Sequence, residues 1–533
     1  MVERENENSK FVEHKNRIKR ELKGRIKNNM SGFLSVCLVG LLALLQISII
    51  IILPFILRNF TVYFYIVLEI CSIMLILTLI NDNRSPSYKI AWICIALACP
   101  ISGHIMYWLW GGPDSKKKLD RNILKIMEHG KQFLKHDKEL EADFWEERPL
   151  EARMSRYMSS HNFPLFSGND IRYFSMGEDA FEEIFDGLEK AEKFILIDFF
   201  IVAEGAIWDK LHEILVEKVR QGVEVKFMYD DFGAMIRTGK YFKRNLEADG
   251  VEVRIFNPIH KYTDKLYMNY RSHQKIIVID GNIGFTGGFN IADEYANLVK
   301  RFGVWKDNGI RVEGNAVWGM TVTFLQMWEV CQGHNDIDFD RYRPTFKKAP
   351  GETFCHVISD GPANNQENPI ESIYRQMIDY AGEFLYITTP YLIIESDMNE
   401  VLISAVQSGV DVRIITPYIP DKKNVKLLTN YNYGYLLKNG VRIFEYEPGF
   451  IHAKTIINEN CGIVGTINMD YRSFYLHYEN GVWMSDKQVI GSIKKDLVET
   501  MEVCREITYE EWKKRPLMMK LKQSFLKMFS TLM

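Results

Sequence analysis

Ala191-Glu-Lys-Phe-Ile-Leu-Ile-Asp198, followed one helix-length later by Gly222-Val-Glu-Val-Lys-Phe227, decides the architecture of this chain, because both stretches occur twice. The second copies are Ala381-Gly-Glu-Phe-Leu-Tyr-Ile-Thr388 and Gly409-Val-Asp-Val-Arg-Ile414. The first stretch of each copy is an apolar run of strand length. An amphipathic helical pattern follows it, Trp208 to Arg220 in one copy and Met398 to Gln407 in the other. A glycine stop before a β-branched run marks a helix-to-strand junction. Strand, helix, strand implies parallel pairing, so the spacing predicts an α/β unit used twice. A third strand is predicted in each copy, Val251 to Phe256 and Val441 to Tyr446, introduced by Gly250 and Gly440. Two homologous halves of this kind share a cleft, a common place for an active site.

The chemistry lies just downstream. The first half reads His273-Gln-Lys275-Ile-Ile-Val-Ile-Asp280, then Gly287-Gly288-Phe-Asn290 and Glu294. The second reads His452-Ala-Lys454-Thr-Ile-Ile-Asn-Glu459, then Gly465-Thr466-Ile-Asn468. Residues two apart on a strand point to one face, and glycines on the next strand let a polar ligand approach the backbone. One imidazole and one ammonium from each half therefore converge, with two amides beside them. That set suits phosphodiester chemistry. A neutral histidine attacks phosphorus, and a protonated one gives the leaving alcohol its proton. Two lysines and two asparagines hold the non-bridging oxygens as charge builds. A single His-x-Lys would read as a satisfied core histidine, but two copies at matching repeat positions argue otherwise. The spacing is poor for a metal site, since lysine is charged and no HxxxH or carboxylate cluster accompanies it, so no metal or other cofactor is predicted.

Three apolar runs precede this region. Phe33 to Leu57 carries no charge over 25 residues, enough to cross a hydrocarbon core of about 30 Å. Phe60 to Ile80 is broken only by Glu69, and Ile90 to Trp110 lacks Asp, Glu, Lys and Arg but contains Pro100, Gly103 and His104. The first run is too long for the apolar core of a signal peptide and has no small-residue cleavage site after it, so a membrane anchor is expected. Lys15, Arg17, Lys19, Arg20, Lys23, Arg25 and Lys27 favour a cytoplasmic N-terminus. Three crossings then put the remainder outside. Two crossings keep it inside, with the Pro-Ile-Ser-Gly interruption marking a re-entrant or interfacial piece. The 66 basic and 69 acidic residues leave a net charge of -3, without the basic excess of a nucleic-acid binder. The eight cysteines follow no disulfide or metal framework.

The paired motifs resemble the HKD motifs of the phospholipase D superfamily. Tyr229-Asp-Asp231, Trp305-Lys-Asp307, Thr389-Pro-Tyr391, Tyr446-Glu-Pro-Gly-Phe-Ile-His452 and Asn468-Met-Asp-Tyr-Arg-Ser-Phe474 look like bacterial cardiolipin synthases. Ser85 to Gly112 is similar to the short membrane domain of that family. The fold implied is two phospholipase D-like α/β halves about a pseudo-two-fold cleft, preceded by transmembrane helices. The implied catalytic set is His273, Lys275, Asp280, His452, Lys454 and Glu459, with Asn290 and Asn468 binding phosphate. By the resemblance, His273 attacks one phosphatidylglycerol, and His452 protonates the departing glycerol and then activates a second phosphatidylglycerol, giving cardiolipin. Each histidine is oriented by a carboxylate from the other half: Glu479 for His273 and Asp307 for His452. The motif acid supports the motif rather than attacking substrate. Glu459 departs from the family's Asp on a turn one residue shorter, where Asn458 is an alternative support. Implied partners are phosphatidylglycerol, other anionic phospholipids and the cell membrane, crossed more than once. A hydrolytic phospholipase D, a transferase to another alcohol, a nuclease and a catalytically decayed membrane scaffold are the competing classes.

The expected organisation is a basic segment over 1–32, a membrane region over 33–110 (spans 33–57, 60–80 and 90–110), a charged helical linker over 111–160, the first half over 161–348, the second over 349–512, and a tail over 513–533. The tail is basic, with no acid, and Met518, Leu521, Phe525, Met528 and Leu532 recur at helical spacing. It reads either as an amphipathic helix on an anionic membrane or as an ordinary helix packed on the protein.

Overall fold

The computed structural model describes residues 60–82, 84–112, 117–258, 270–345, 351–363 and 368–532, together with Ser48. The basic segment 1–32 lies outside the described residues, as does the span 33–57 apart from Ser48.

Both repeats fold as the glycine stops require. In the first half, strand Phe194–Phe199 is followed by helix Ala206–Arg220, strand Glu224–Asp230 and strand Glu252–Phe256, with the three strands parallel. In the second, strand Phe384–Thr388 is followed by helix Ser396–Gln407 and strands Asp411–Pro417 and Arg442–Tyr446. Gly222 and Gly409 end the two helices at φ +88° and +95°, and a Cβ on either would meet nothing within 4 Å. The left-handed backbone, not lack of space, selects glycine there. On its other side each central strand pairs antiparallel with a motif strand, Lys275–Ile279 or Thr455–Asn458.

The two halves do not form separate sheets. Strand Leu165–Phe174 pairs antiparallel with Thr353–Asp360, and through this pair one sheet runs from Glu252–Phe256 at one edge to Cys504–Ile507 at the other. The pseudo-two-fold passes between those strands. Helix Val317–Gln332 is buried from Val317 through Glu329 because it lies across the sheet of the first half, which explains why its sequence is apolar all round.

Residues 117–160 are not a free tether. They form helices Lys117–Lys131, Lys138–Glu147 and Pro149–Ser160, whose apolar faces (Ile123, Met127, Phe144, Met154, Met158) are buried in the cores of the two halves. Gln326 Nε2 donates to Met127 O at 2.9 Å and Arg148 Nη1 to Ser485 O at 2.7 Å, tying the first and third of these helices down.

Thr61–Ile80 is a 20-residue helix of mean hydropathy 2.3, with only Ser72, Leu75 and Leu79 buried. Among the described residues it alone is long and apolar enough to cross a membrane. The expected span 90–110 is corrected. Helix Pro86–Ala98 stops after 13 residues, about 20 Å. The chain then turns through Cys99–Ile101 and doubles back as Ser102–Met106 and a π-helical turn, Tyr107–Gly111. The physical cause is the Pro100 interruption with Gly103 behind it, where a Cβ would sit 2.6 Å from Ile95 O. Trp92 and Tyr107 pack edge to face across the resulting hairpin at 5.4 Å. The hairpin rests on the second half, where Ser85 and Ser87 donate to Glu395 Oε2 at 3.1 and 2.9 Å. Helix Leu517–Met528 and the following turn Ser530–Leu532 lie against Pro86–Ala98. This C-terminal helix leaves Leu517, Met518, Leu521 and Phe525 exposed.

Candidate active site

His273 lies just before the first motif strand and His452 just before the second, and both imidazoles are almost fully buried. Backbone bonds that cross between the halves hold them. His273 N donates to Tyr478 O at 2.8 Å, and His452 N donates to Lys306 O at 2.7 Å. The short strand before His273, Arg271–Ser272, is further pinned by buried carboxylates: Ser272 N donates to Asp230 Oδ2 and Ser272 Oγ to Asp198 Oδ2, each at 3.1 Å. Gly288 of the first half abuts the second. A Cβ there would lie 2.0 Å from Asp307 Oδ1 and 2.8 Å from His452 O, so only glycine lets the halves close to this distance.

Each imidazole meets a carboxylate from the opposite half. Glu479 Oε2 is 2.8 Å from His273 Nδ1, and Asp307 Oδ2 is 2.7 Å from His452 Nδ1; both carboxylates are fully buried. A carboxylate accepting from Nδ1–H sets the tautomer that leaves Nε2 free for the substrate. Thr466 Oγ1 also donates to Glu479. The lysines back the same loops, Lys275 Nζ donating to His273 O at 2.7 Å and Lys454 Nζ to His452 O. Lys454 Nζ also lies 2.9 Å from His452 Nδ1. With its proton directed at Asp307, that nitrogen has no lone pair to offer the ammonium, so the backbone oxygen is the real acceptor.

Burial dominates the proton affinities. It pulls His273 well below the ordinary histidine value, helped by the charges of Lys275 and Lys454. Burial and Lys454 bring His452 down to about 4 against the opposing pull of Asp307. Burial would raise Asp307, but His452 and Lys454 outweigh it and keep the carboxyl ionised. Burial lowers Lys275 to about 8 and Lys454 to about 7. The free site is thus poised with neutral imidazoles and with ammonium groups that lose their protons near neutrality. As pH rises through 7 to 8 the lysines lose the charge that would anchor a phosphate. The value of kcat/KM, which reports the free enzyme, is expected to fall on the alkaline side of pH about 8. A pH series at sub-saturating substrate checks this, and a flat profile to pH 10 would contradict it.

Two of the residues grouped with the catalytic set lie elsewhere. Asp280 follows the far end of its motif strand, and its carboxylate accepts from Glu192 N, Lys193 N and Phe194 N at 2.8, 2.8 and 2.9 Å. Glu459 does the same in the second half, accepting from Gly382 N at 2.7 Å, Glu383 N at 3.2 Å and Phe384 N at 3.5 Å. Seven residues of extended chain separate each from its histidine, on the order of 20 Å, so neither touches the reacting atoms. The longer glutamate reaches from the shorter turn, while Asn458 caps that turn itself through Asn460 N and Cys461 N. Asp280→Ala should therefore cost stability, about 1–3 kcal/mol for the lost acceptors, rather than chemistry. A lowered thermal midpoint with the turnover of the folded fraction kept within about tenfold is the expected result.

The amides differ between the halves. Asn290 is largely engaged, its Oδ1 accepting from Ile201 N at 3.0 Å and its Nδ2 donating to Tyr295 Oη at 2.8 Å. Asn468 Oδ1 is buried without a partner. Tyr295, Trp305 and Phe450 surround the His452 ring at 5.4, 5.4 and 5.8 Å. Sequence reasoning passed over His477. Its ring lies 5.5 Å from that of His273, its Nδ1 is 3.6 Å from Glu479 Oε1, and neither of its ring nitrogens has a hydrogen-bond partner. The signal was there, because His477 and Glu479 alternate on one strand and so share a face.

The family described as cardiolipin synthase, PLD-like domain, matches residues 184–309 and again 374–501, and the family described as phospholipase D-nuclease N-terminal matches 70–112. A cardiolipin synthase of Geobacillus kaustophilus is 34% identical over 477 residues, 88% of this chain and 93% of that protein. An uncharacterized protein of Streptococcus mutans is 36% identical over 453 residues, 84% of this chain and 96% of that one. Among solved structures, phosphatidylserine synthase of Haemophilus influenzae superposes with a TM-score of 0.55 at 15% identity, over 71% of this chain and 98% of its own, a likeness of fold.

Proposed function

The chain belongs to the cardiolipin synthase family of phospholipase D-like enzymes, and on that premise we propose that it joins two phosphatidylglycerol molecules into cardiolipin with release of glycerol. The observation that carries this reading is the pair of crossed imidazole–carboxylate contacts, His273 with Glu479 and His452 with Asp307. Two imidazoles whose Nε2 atoms both face the cleft, one neutral as nucleophile and one able to carry a proton, are what a two-step displacement at phosphorus needs. His452 takes up a proton at Nε2 as the anionic lipid binds beside it; His273 Nε2 then attacks the phosphorus of the first lipid, and the phosphorus–glycerol bond breaks as His452 gives that proton to the glycerol oxygen. The headgroup hydroxyl of the second lipid then loses its proton to His452 and attacks the phosphatidyl-histidine, freeing His273. Lys275, Lys454, Asn468 and the remaining N–H of Asn290 hold the phosphate oxygens. Asp280 and Glu459 are positioning residues that brace the central strands. No metal or other cofactor takes part in these steps.

The membrane arrangement we propose is multi-pass, with two crossings, 33–57 and 61–80. The 86–111 hairpin and the C-terminal helix are then interfacial. Docking of the hairpin through Glu395 supports this, as does the exposed apolar row Leu517, Met518, Leu521 and Phe525 flanked by Lys520 and Lys522. The catalytic halves, 161–348 and 349–512, then sit on the cytoplasmic side with the basic N-terminus. No nucleic acid takes part.

The test is a product assay. Full-length protein in mixed micelles receives labelled phosphatidylglycerol after chelator treatment. Cardiolipin and free glycerol in equal amounts support the proposal. Phosphatidic acid as the main product makes the chain a hydrolase and overturns it.

A further inference from the structure

The crossed contacts are not symmetric. Asp307 serves one imidazole, whereas Glu479 faces two, His273 from the first half and His477 from its own strand. One ligating atom from each of His273, His477 and Glu479 lies within 4.8 Å of the other two. In a tetrahedral zinc site, ligand atoms at about 2.0–2.1 Å from the ion stand about 3.4 Å apart, so this trio needs only a small adjustment to close on one ion. The groups are buried and under-used. Glu479 is fully buried and the His477 side chain is 10% exposed; Glu479 Oε1 and His477 Nδ1 face each other at 3.6 Å without forming a hydrogen bond, and His477 Nε2 makes none either. Buried polar atoms without partners are costly. Two imidazoles and a carboxylate with an open fourth position match the ligand preference of zinc over magnesium or calcium.

We propose that His273, His477 and Glu479 form a binding site for a zinc-class divalent ion, and that occupancy switches the enzyme off. The reason lies in the tautomer. With the ion on Nδ1 of His273, the proton shared with Glu479 is displaced and Nε2 takes one up from solvent, so the imidazole stays neutral but changes tautomer. Bound through Nδ1, it carries its single proton on Nε2, so the lone pair that would attack phosphorus is gone. Glu479, drawn to the ion, no longer stabilises a cationic His273. Lys275 and Lys454 oppose a dication in the cleft, and the carboxylates of Glu479 and Asp307 offset them. Such a site stays compatible with an enzyme that works metal-free, because the ion and the active tautomer compete for the same nitrogen. The inhibitory consequence rests on His273 being the nucleophile; the binding does not.

The experiment uses the full chain in detergent, stripped with chelator and dialysed. Zinc binding is measured by equilibrium dialysis, and transfer from labelled phosphatidylglycerol is followed over the same free-zinc range. One zinc per chain is expected, with activity falling along the binding curve and returning on chelation. His477→Asn should bind zinc roughly 100-fold or more weakly, and its own activity should be unaffected at the concentration that halves the wild type. Glu479→Gln supplies a second binding test should His477→Asn lose its fold, and His452→Ala should keep its zinc. Equal zinc affinity in His477→Asn and wild type, or inhibition without stoichiometric binding, would overturn the proposal. A wild type that yields phosphatidic acid would remove the synthase reading while leaving the binding result intact.

Discussion

His273→Ala is expected to lower phosphatidyl transfer by about four orders of magnitude or more, the scale on which loss of a covalent nucleophile acts. The near-symmetry of the two motifs makes a second arm informative. With a phosphatidyl substrate whose leaving group needs no proton, His452→Ala should still release that group once per chain and then stall. The first step needs only the His273 lone pair, whereas the second needs a base to take the acceptor's proton. His273→Ala should give no such burst. Acid-labile label on the protein of the His452 variant, and none on the His273 variant, is the matching chemical readout. A burst from His273→Ala and none from His452→Ala would exchange the two roles.

The second large effect belongs to Glu479. It is fully buried, and its Oε2 lies 2.8 Å from His273 Nδ1 while Thr466 Oγ1 donates to the same oxygen. Glu479→Gln keeps the shape but removes the charge, and its amide can donate to Nδ1 and so fix the wrong tautomer. Loss of the orienting carboxylate in a comparable imidazole pair costs about 10⁴ in kcat, so a fall of about 10³ to 10⁴ is expected with little change in KM. Asp307→Asn should act through His452 and slow both steps. In His452→Ala, a further Asp307→Asn change should cost little more, because residues acting as a unit are not additive. A double variant slowed by the full product of both losses would show that Asp307 acts independently of His452.

The sequence carried more of the site than residue spacing alone would suggest, because the repeat multiplied each weak signal. A lone His-x-Lys says little, but His273-Gln-Lys275 and His452-Ala-Lys454 at matching repeat positions locate two strand starts facing one cleft. The four glycines after helices and before strands, Gly222, Gly250, Gly409 and Gly440, all take φ near +90°, and such positions are legible because few other residues tolerate that backbone. The third apolar run was less legible. Hydropathy counts apolar residues and does not register that the turn at Cys99–Ile101 folds them back on themselves, which is why 90–110 is a hairpin rather than a span.

Local sequence by itself determined the strand-helix-strand repeats, the motif strands, the apolar helix over 61–80 and the identity of the two imidazoles and two ammoniums, because each rests on periodicity or on a backbone conformation that neighbouring residues dictate. Tertiary structure decided what those residues do to one another. Only the joining of Leu165–Phe174 to Thr353–Asp360 makes one sheet of two halves. Closure at Gly288 brings Asp307 up to His452 across 145 positions of chain, as Glu479 comes to His273 across 206. Burial in that closed cleft then lowers the imidazoles and lysines together. Proton affinity depends on desolvation and on charges a few ångströms away in space, and neither is written in the order of residues along the chain.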